Sequence, residues 1–230
     1  MEKNELAEKE FVDSFIKHGK EISYKKGGII MRPDDLPSGI YYIKKGYVQV
    51  YSISENGTEK LHIIYKPNDV FSLTWALNDE QKELYYEAID NVSLIKVQKK
   101  DFLKFIYSNH TATLILLQKL IKMYSMFSDR INDLEVAKTY PRTISCLLFF
   151  AKRYGKFLDT ENNKSSDPYI IRAPITHQII ANFSAMTRET TSREMSLLEK
   201  KKIIFYKNHL IVVNGMKNMK KELSKSLVES

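Results

Sequence analysis

Cysteine and long apolar runs are what this sequence has least of. It contains a single cysteine, Cys146, and no apolar stretch approaching the roughly 20 residues needed to cross a bilayer. One cysteine excludes an intrachain disulfide and, within one chain, a cysteine ligand set for zinc or an iron–sulfur cluster. Because Cys146 lies in the apolar run 144–150, we predict a core residue rather than a redox sensor. The N-terminus, Met1 to Glu10, is charged where a signal peptide would be apolar, so we expect a cytoplasmic protein with no membrane segment.

Clustered histidines are absent as well. No HxH or HExxH motif occurs, and the histidines are scattered along the chain: His18, His62, His110, His177 and His209. A barrel metalloenzyme needs histidine and carboxylate ligands close together, so the sequence argues against such an enzyme. Haem needs a single axial histidine, for which His62 and His110 are the candidates. A lone histidine in a strand or at a helix start is more often structural, so we predict no metal and no cofactor.

Positive charge is distributed unevenly. Residues 1–138 contain 20 Lys and Arg against 20 Asp and Glu, whereas residues 139–230 contain 16 against 8 and carry the whole net charge of +8. This asymmetry fits a polyanionic partner, either nucleic acid or an anionic membrane surface, because phosphate contacts release counterions. A well-solvated basic surface would have the same composition, so charge alone does not decide between them.

Short alternating or β-branched runs fill residues 21–97. They predict an antiparallel barrel or sandwich with strands at 40–44, 47–53, 60–65, 70–73, 84–89 and 93–97. Two turns are marked by glycine, at Lys45-Gly46 and at Asn56-Gly57, because glycine supplies the positive φ that a tight hairpin needs.

The hydrophobic period then becomes helical. We predict a short helix over 99–107 and a long one, without Gly or Pro, over about 111–138. A heptad seam runs along the long helix through Thr113, Leu117, Leu120, Tyr124, Phe127, Ile131 and Leu134. The seam could pack on its own barrel or form a parallel two-helix dimer. Pro141 ends the helix, so we predict a barrel over 1–110, a dimerisation helix over 111–138 and a second domain over 139–230.

The second domain contains two helices with polar starts. We predict an unstructured polar loop over 155–168, a strand over 169–173 and a hairpin of strands 203–206 and 210–213. Between them, Thr176 is the predicted N-cap of a helix of about two turns with an apolar face, 184–186 is a break, and Thr187 caps a second helix. The basic tail from Met216 is either an accessory helix or frayed.

The second of these helices has the order of residues that a recognition helix requires. Arg188, Glu189 and Arg193 precede the apolar anchors, and the first turns of such a helix meet base edges. Arginine can bond guanine in a bidentate manner, and glutamate can accept from cytosine N4. An ordinary solvated helix with a Glu189–Arg193 ion pair is the alternative. The turn, the basic run 200–202 and the following hairpin favour a winged helix-turn-helix.

This segment resembles the DNA-binding motif of the cyclic-AMP receptor protein and fumarate–nitrate regulator (Crp/Fnr) superfamily. The resemblance lies in Thr176, Gln178, Ala181 and the runs 187–193 and 198–204, and more weakly in the barrel runs 40–50 and 56–60. It covers roughly residues 20–215. It implies an α+β fold with an N-terminal antiparallel β-barrel of the cyclic-nucleotide-binding jelly-roll type, a long dimerisation helix and a C-terminal winged helix-turn-helix. Ala185 stands where the family's turn usually has glycine, and Ile179 where the residue is often acidic.

The resemblance also implies partners and contacts. A homodimer would bind a near-palindromic site in double-stranded DNA and would also meet RNA polymerase. Its dimer interface would be Leu117, Leu120, Tyr124, Phe127, Ile131 and Leu134. Its base contacts would be Arg188, Glu189 and Arg193, and its phosphate contacts would be Thr176, Gln178, Thr187 and Thr190.

The family's phosphate cassette is degenerate here. Relatives that bind cyclic nucleotides have Gly-Glu after an aromatic residue and a later arginine, whereas Phe71 is followed by Ser-Leu-Thr-Trp and no arginine occurs between Phe71 and Ala88. A buried cyclic phosphate would be an unpaired charge, so we expect a different small-molecule effector or none. The aromatic residues that could line an effector pocket are Phe71, Trp75, Tyr85, Tyr86 and Tyr124, although ordinary core packing would also explain them. The polar segment 78–83 is predicted to be a loop over this region.

Overall fold

The structure is a computed structural model that describes residues 11–13, 17–135, 138–158 and 168–228. The chain divides into two compact units, Met1–Ser125 and Met126–Ser230. This division falls within the long helix. The predicted domains 1–110, 111–138 and 139–230 stay a prediction, and the charged N-terminus and the polar residues 159–167 lie outside the described residues.

Strands dominate the N-terminal unit. They are β1 (Lys20–Tyr24), β2 (Ile29–Met31), β3 (Ile40–Lys45), β4 (Val48–Ile53), β5 (Glu59–Tyr65), β6 (Val70–Phe71), β7 (Tyr85–Ala88) and β8 (Val92–Val97). They form two four-stranded antiparallel sheets, ordered β1-β8-β3-β6 and β2-β7-β4-β5. The jelly-roll-like fold is confirmed, but the sheets are open rather than closed into the predicted barrel.

The N-terminal unit differs from the prediction in two short strands and at the end of β6. The short strands β1 and β2 were not predicted, and the run predicted as a strand over 70–73 ends at Phe71. Ser72 adopts a positive φ of 70°, and the chain then turns into helix α1 (Leu73–Asn78), which buries Leu73 and Ala76. The hairpin at Gly46 is confirmed, with a φ of 85°, and a Cβ there would lie 2.5 Å from the carbonyl oxygen of Asn91.

Strand β3 contributes to two apolar clusters because it is buried on both faces. Tyr41 and Ile43 face the cluster between the two sheets, while Ile40 and Tyr42 belong to a second cluster with α1 and the following helices. Those helices are α2 (Lys99–Ser108) and α3 (His110–Leu134). In the first cluster the ring of Phe71 stacks against the rings of Tyr41, Tyr65 and Tyr86.

Helix α3 presents different residues to the core and to solvent. Ala112, Ile115 and Leu116 are buried in the N-terminal unit. The exposed stripe consists of Leu114, Leu117, Ile121, Tyr124 and Ile131. Of the remaining seam residues, Thr113 is exposed, Phe127 is 36% exposed, Leu120 packs on the core of the N-terminal unit, and Leu134 is half-buried.

Helices and a small sheet form the C-terminal unit. After the end of α3 come α4 (Thr139–Tyr154), β9 (Gly155–Phe157), β10 (Tyr169–Ile171), α5 (His177–Ser184), α6 (Arg188–Lys200), β11 (Ile204–Lys207), β12 (Leu210–Val213) and α7 (Met216–Val228). The sheet is antiparallel in the order β11-β12-β10-β9. Through the described part of the chain, no helix is both long and apolar enough to cross a membrane.

Three boundaries in this unit correct the predictions. Pro141 lies inside the first turn of α4, where a helix does not need the missing N–H, rather than before the helix. Gly155 begins strand β9 instead of a loop, and glycine is required because a Cβ would lie 2.3 Å from the backbone carbonyl oxygen of Ala151 and 2.2 Å from the Tyr169 ring. The wing turn is Asn208-His209, two residues with positive φ, because Lys207 already pairs with Leu210.

Candidate nucleic-acid interface

Both helices of the helix-turn-helix begin at the predicted caps. The Thr176 hydroxyl accepts from the backbone N–H of Ile179 at 3.2 Å, and the Thr187 hydroxyl accepts from the N–H of Thr190 at 3.2 Å. Each satisfies an N–H that has no partner within its helix. Between them Ala185 ends α5 in the left-handed region, with φ 53° and ψ 47°. Alanine therefore adopts here the conformation that glycine adopts most easily.

Helix α6 separates an anchored face from an exposed one. Thr191, Glu194, Met195 and Leu198 are buried. The predicted base-contacting residues Arg188, Glu189 and Arg193 are exposed on the same helix. The predicted phosphate contacts lie around the two helix starts, with Thr176, Gln178 and Thr187 exposed and Thr190 half-buried.

Two of these exposed side chains are held by near neighbours. The amide of Gln178 donates to the side-chain oxygen of Asn182 at 2.7 Å, one turn further along α5. Arg193 forms its ion pair with Glu194, Nη2 to Oε1 at 3.2 Å, whereas the solvated-helix alternative expected Glu189 to be its partner.

A histidine network that sequence reasoning missed joins both helices to the wing. His177 Nδ1 lies 2.9 Å from the Ser192 hydroxyl, and Nε2 lies 2.9 Å from the Tyr206 hydroxyl. Burial, followed by the positive charge of Arg188, lowers the pKa of His177 below its ordinary value of 6.5. These residues are 15 and 29 positions apart, so no short-range pattern in the sequence brings them together.

This network predicts a pH dependence of stability. Because the folded pKa of His177 is below 6.5, folding favours the neutral imidazole, and its contribution is complete above pH 6.5 and is lost as pH falls. The free energy of unfolding of the C-terminal unit should therefore decrease as pH falls below 6.5. His177→Gln should flatten this dependence in urea titrations followed by circular dichroism. His209→Gln, at the exposed wing turn, is the matched control and should keep the slope; an unchanged slope in His177→Gln would contradict the assignment.

The turn between the two helices rests on arginine and aromatic contacts. The Arg130 guanidinium, from the end of α3, lies 3.8 Å from the centre of the Phe183 ring, and its Nη2 donates to the Phe183 carbonyl at 2.9 Å. This carbonyl belongs to the last turn of α5, which has no partners within the helix and favours positive charge. Phe183 also contacts the rings of Phe149 and Phe150. These contacts hold the turn of the helix-turn-helix (HTH) in place.

The far end of α6 is held by the tail helix. Glu222 of α7 accepts from Lys201 Nζ at 2.6 Å and from the Tyr140 hydroxyl at 2.8 Å, and these bonds lower its pKa, Lys201 having the larger effect. Met219 anchors α7 and is fully buried. The structure thus resolves the choice left open by the sequence, because the tail is an accessory helix and not a frayed end.

The five aromatic residues predicted for an effector pocket lie in different surroundings. Trp75 and Tyr86 line a small pocket with Met31, Asp35, Pro37, Ser72, Thr74, Glu80, Gln81 and Lys82. Phe71 is stacked in the core, Tyr85 stacks on Tyr51, and Tyr124 is 76% exposed on α3.

The two haem candidates lie on different elements, His62 in β5 and His110 at the start of α3. His62 Nε2 lies 2.9 Å from the Ser52 hydroxyl, and His110 is exposed at the start of α3. Within the described ranges, no three histidine, cysteine or carboxylate side chains lie close enough together to hold a metal ion.

Comparison with known proteins identifies both halves of the chain. A family model for the cyclic nucleotide-binding domain matches residues 21–109, and one for the Crp-like helix-turn-helix domain matches residues 142–221. These matches cover most of the two compact units. The second contains all seven residues of the predicted DNA-binding surface.

Several known proteins match over most of the chain. The global nitrogen regulator of Synechococcus elongatus is 25% identical over 194 residues, which is 83% of this chain and 84% of that protein. The cAMP-activated global transcriptional regulator CRP of Salmonella typhimurium is 21% identical over 202 residues, covering 87% and 92%. The structure of a CooA mutant from Carboxydothermus hydrogenoformans has the same fold, with a TM-score of 0.72 at 18% identity, covering 90% and 89%. The chain therefore belongs to the Crp/Fnr superfamily of DNA-binding transcription regulators.

Proposed function

We propose that this regulator binds a near-palindromic promoter site as a homodimer, and that Arg188, Glu189 and Arg193 read the bases. The observation that supports the proposal is the division of α6 into an exposed face, which contains these three residues, and a buried face, which contains Thr191, Glu194, Met195 and Leu198. A recognition helix needs both, because the exposed part enters the major groove while the buried part holds it in the domain. Thr176, Gln178, Thr187 and Thr190 would contact phosphates. The regulator would act in the cytoplasm, with RNA polymerase as a further partner.

The exposed stripe of α3 supports the dimer. Leu114, Leu117, Ile121, Tyr124 and Ile131 follow heptad spacing and are open to solvent in the single chain. Burying such a stripe against its symmetric copy removes apolar surface from water without disturbing the face that packs on the unit's own core. Binding two half-sites one turn of DNA apart requires the two recognition helices of the dimer to lie about 34 Å apart.

We further propose that a small molecule other than a cyclic nucleotide controls this activity. The pocket beside α1 contains the Ser72 hydroxyl, which is buried without a hydrogen-bond partner in the described structure. Its lining has acidic, basic and aromatic side chains but no arginine. A ligand that hydrogen-bonds Ser72 and stacks on Trp75 or Tyr86 would suit it better than a cyclic phosphate. The alternative is a regulator without effector, controlled by its abundance, and the degenerate cassette favours it equally.

Selection of bound sequences from random duplex DNA tests the central proposal. The ligand-free protein should be used at a fixed, stated salt concentration, because phosphate contacts make affinity strongly salt-dependent. Enrichment of a two-fold symmetric site supports the proposal, and tight binding without ligand favours the effector-free alternative. If nothing is enriched either alone or with a panel of small metabolites, the proposal is wrong.

Replacing Arg188 or Arg193 with alanine tests the base contacts. Each substitution should cost about 1–3 kcal/mol on the selected site and relax the preference at one base pair per half-site. Titrations of the selected duplex and of a random duplex measure both effects. Lys207→Ala, at the exposed wing, removes a positive charge elsewhere on the unit and should leave base preference unchanged. Equal losses on both duplexes for the arginine variants would contradict base reading.

A further inference from the structure

A buried carboxylate lies in the middle of the recognition helix. Glu194 is 6% exposed, and among the buried polar residues of the described chain it is the one with an ionisable side chain. Its Oε1 accepts from the Thr139 hydroxyl at 2.8 Å and from Arg193 Nη2 at 3.2 Å. Two neighbours of different kinds, one neutral and one positively charged, therefore meet the same oxygen.

Burial of the Glu194 carboxylate costs free energy, and the contact with Arg193 offsets part of that cost. A carboxylate removed from water is unfavourable unless charge and hydrogen bonds compensate it. The Thr139 hydroxyl supplies only a neutral bond, so the compensating charge comes from Arg193, whose side chain is 71% exposed. Adjacent residues on a helix do not face each other, so the arginine has to bend along the helix surface to reach Glu194.

Glu194 differs from the carboxylate of a surface ion pair because its side chain is already held in one position. A surface ion pair restricts two flexible side chains at once and is worth little for that reason. Here packing in the domain and the Thr139 bond already hold the carboxylate, so only the arginine is ordered by the contact. The guanidinium is thereby held before DNA arrives.

We propose that Glu194 is a positioning residue that sets the orientation of Arg193 for base reading. This inference rests on the proposed function of Arg193. A guanidinium has five N–H donors, and one bond to Glu194 leaves four, which is enough for a bidentate contact with guanine. Ordering the side chain in advance lowers the entropy lost on binding and restricts which base it reaches.

Thr139 brings the start of α4 into this arrangement. It is the first residue of α4, and its hydroxyl reaches across to α6. Its own carbonyl oxygen accepts from Thr143 one turn later, at 2.9 Å, which fixes the threonine in place. The orientation of a base-reading arginine therefore depends on a residue outside the helix-turn-helix, and Thr139 is a second positioning residue.

Base preference is the readout that separates positioning from general stability. The full-length protein should be titrated against the selected duplex and against duplexes with each base pair replaced in turn. Arg193→Ala identifies the base pair that Arg193 reads. Glu194→Gln keeps an oxygen for Thr139 but removes the charge, and it should lower discrimination at that base pair by about tenfold. The same change in the Arg193→Ala background should have no further effect.

Three further variants complete the design. Glu199→Gln removes one negative charge from an exposed position on the same helix, so it controls for the general gain in DNA affinity and should not change discrimination. Thr139→Val keeps the carboxylate but removes its fixed bond, and it should lower discrimination at the Arg193 base pair, whereas Thr139→Ser should retain it. Thermal unfolding shows whether each variant is folded. If Glu194→Gln does not fold, Thr139→Val tests the inference.

The outcomes distinguish this inference from the proposed function. Loss of discrimination confined to the Arg193 base pair supports the inference. If Arg193→Ala relaxes that base pair but neither Glu194→Gln nor Thr139→Val does, the inference is wrong and base reading by Arg193 stands. If Arg193→Ala changes no base preference, the base-reading assignment fails and the inference fails with it.

Discussion

Leu117→Glu is expected to convert the proposed dimer into a monomer and to weaken binding to the two-fold symmetric site by about 10²–10⁴-fold. The size follows from effective concentration, because a dimer binds its second half-site as an intramolecular step and a monomer does not. Leu117 belongs to the exposed stripe on α3, between Leu114 and Ile121. A glutamate there would put an unpaired charge opposite its symmetric copy, which an apolar interface does not tolerate.

Gln118→Glu is the matched control for this prediction. It adds the same charge to the next residue of α3, which faces solvent on the polar side that it shares with Lys122 and Ser125. Analytical ultracentrifugation measures the association state, and titration of the symmetric duplex measures affinity. If Leu117→Glu stays dimeric, the stripe is not the interface. If it becomes monomeric and still binds the full site with unchanged affinity, dimerisation does not supply the affinity.

Phe150→Ala is expected to lower the free energy of unfolding of the C-terminal unit by about 3–5 kcal/mol, the usual cost of removing a large buried side chain. Phe150 is fully buried in α4, and its ring centre lies 4.9 Å from that of Phe183 and 5.9 Å from that of Tyr154. Without the Phe150 ring, Phe183 loses one of the aromatic contacts that hold it beside the HTH turn. Specific DNA binding should be lost at temperatures where the original protein still binds.

The single tryptophan makes this prediction specific to one unit. Trp75 belongs to the N-terminal unit, so its fluorescence follows that unit, whereas far-ultraviolet circular dichroism follows both. In urea, Phe150→Ala should separate the two transitions and leave the tryptophan signal in place. Phe205→Ala removes the same ring from a 37% exposed position on the wing and should shift neither transition by much. A tryptophan transition that moves together with the dichroism in Phe150→Ala would mean that the two units unfold as one.

The elements that could be predicted from the sequence are those specified by nearby residues. The hairpin turn needs the positive φ that Gly46 supplies, and Thr176 and Thr187 cap the helices that follow them. Strands β1 and β2 were not predicted, because each is short and is stabilised by pairing with a strand far away in the chain, and the three-residue strand β9 was missed because it pairs with β10 across a segment that was predicted as a loop. Helix α1 was missed for another reason: it is only six residues long, and a short apolar run directly after a strand also fits a continuation of that strand.

The same distinction applies to the candidate site: features specified within one helix could be predicted, and contacts between different elements could not. The exposed start of α6 followed from the order of polar and apolar residues, which is visible within one helix. The contacts of His177, Arg130 and Glu194 each bring together residues from different elements, so the sequence provided no spacing from which to infer them. For the effector, aromatic composition pointed to five residues, but aromatic side chains also fill cores, and Phe71 lies in one.

Burial of Cys146 in α4 gives the protein a built-in chemical probe. The thiol is 4% exposed in the middle of the helix that supports the HTH turn, and the sequence has no second cysteine. A thiol reagent can therefore modify the chain only when α4 opens, and its rate of reaction measures how often that happens. Since ligands of the folded state reduce the population of open forms, slower labelling in the presence of DNA or a metabolite would report their binding without any attached dye or tag.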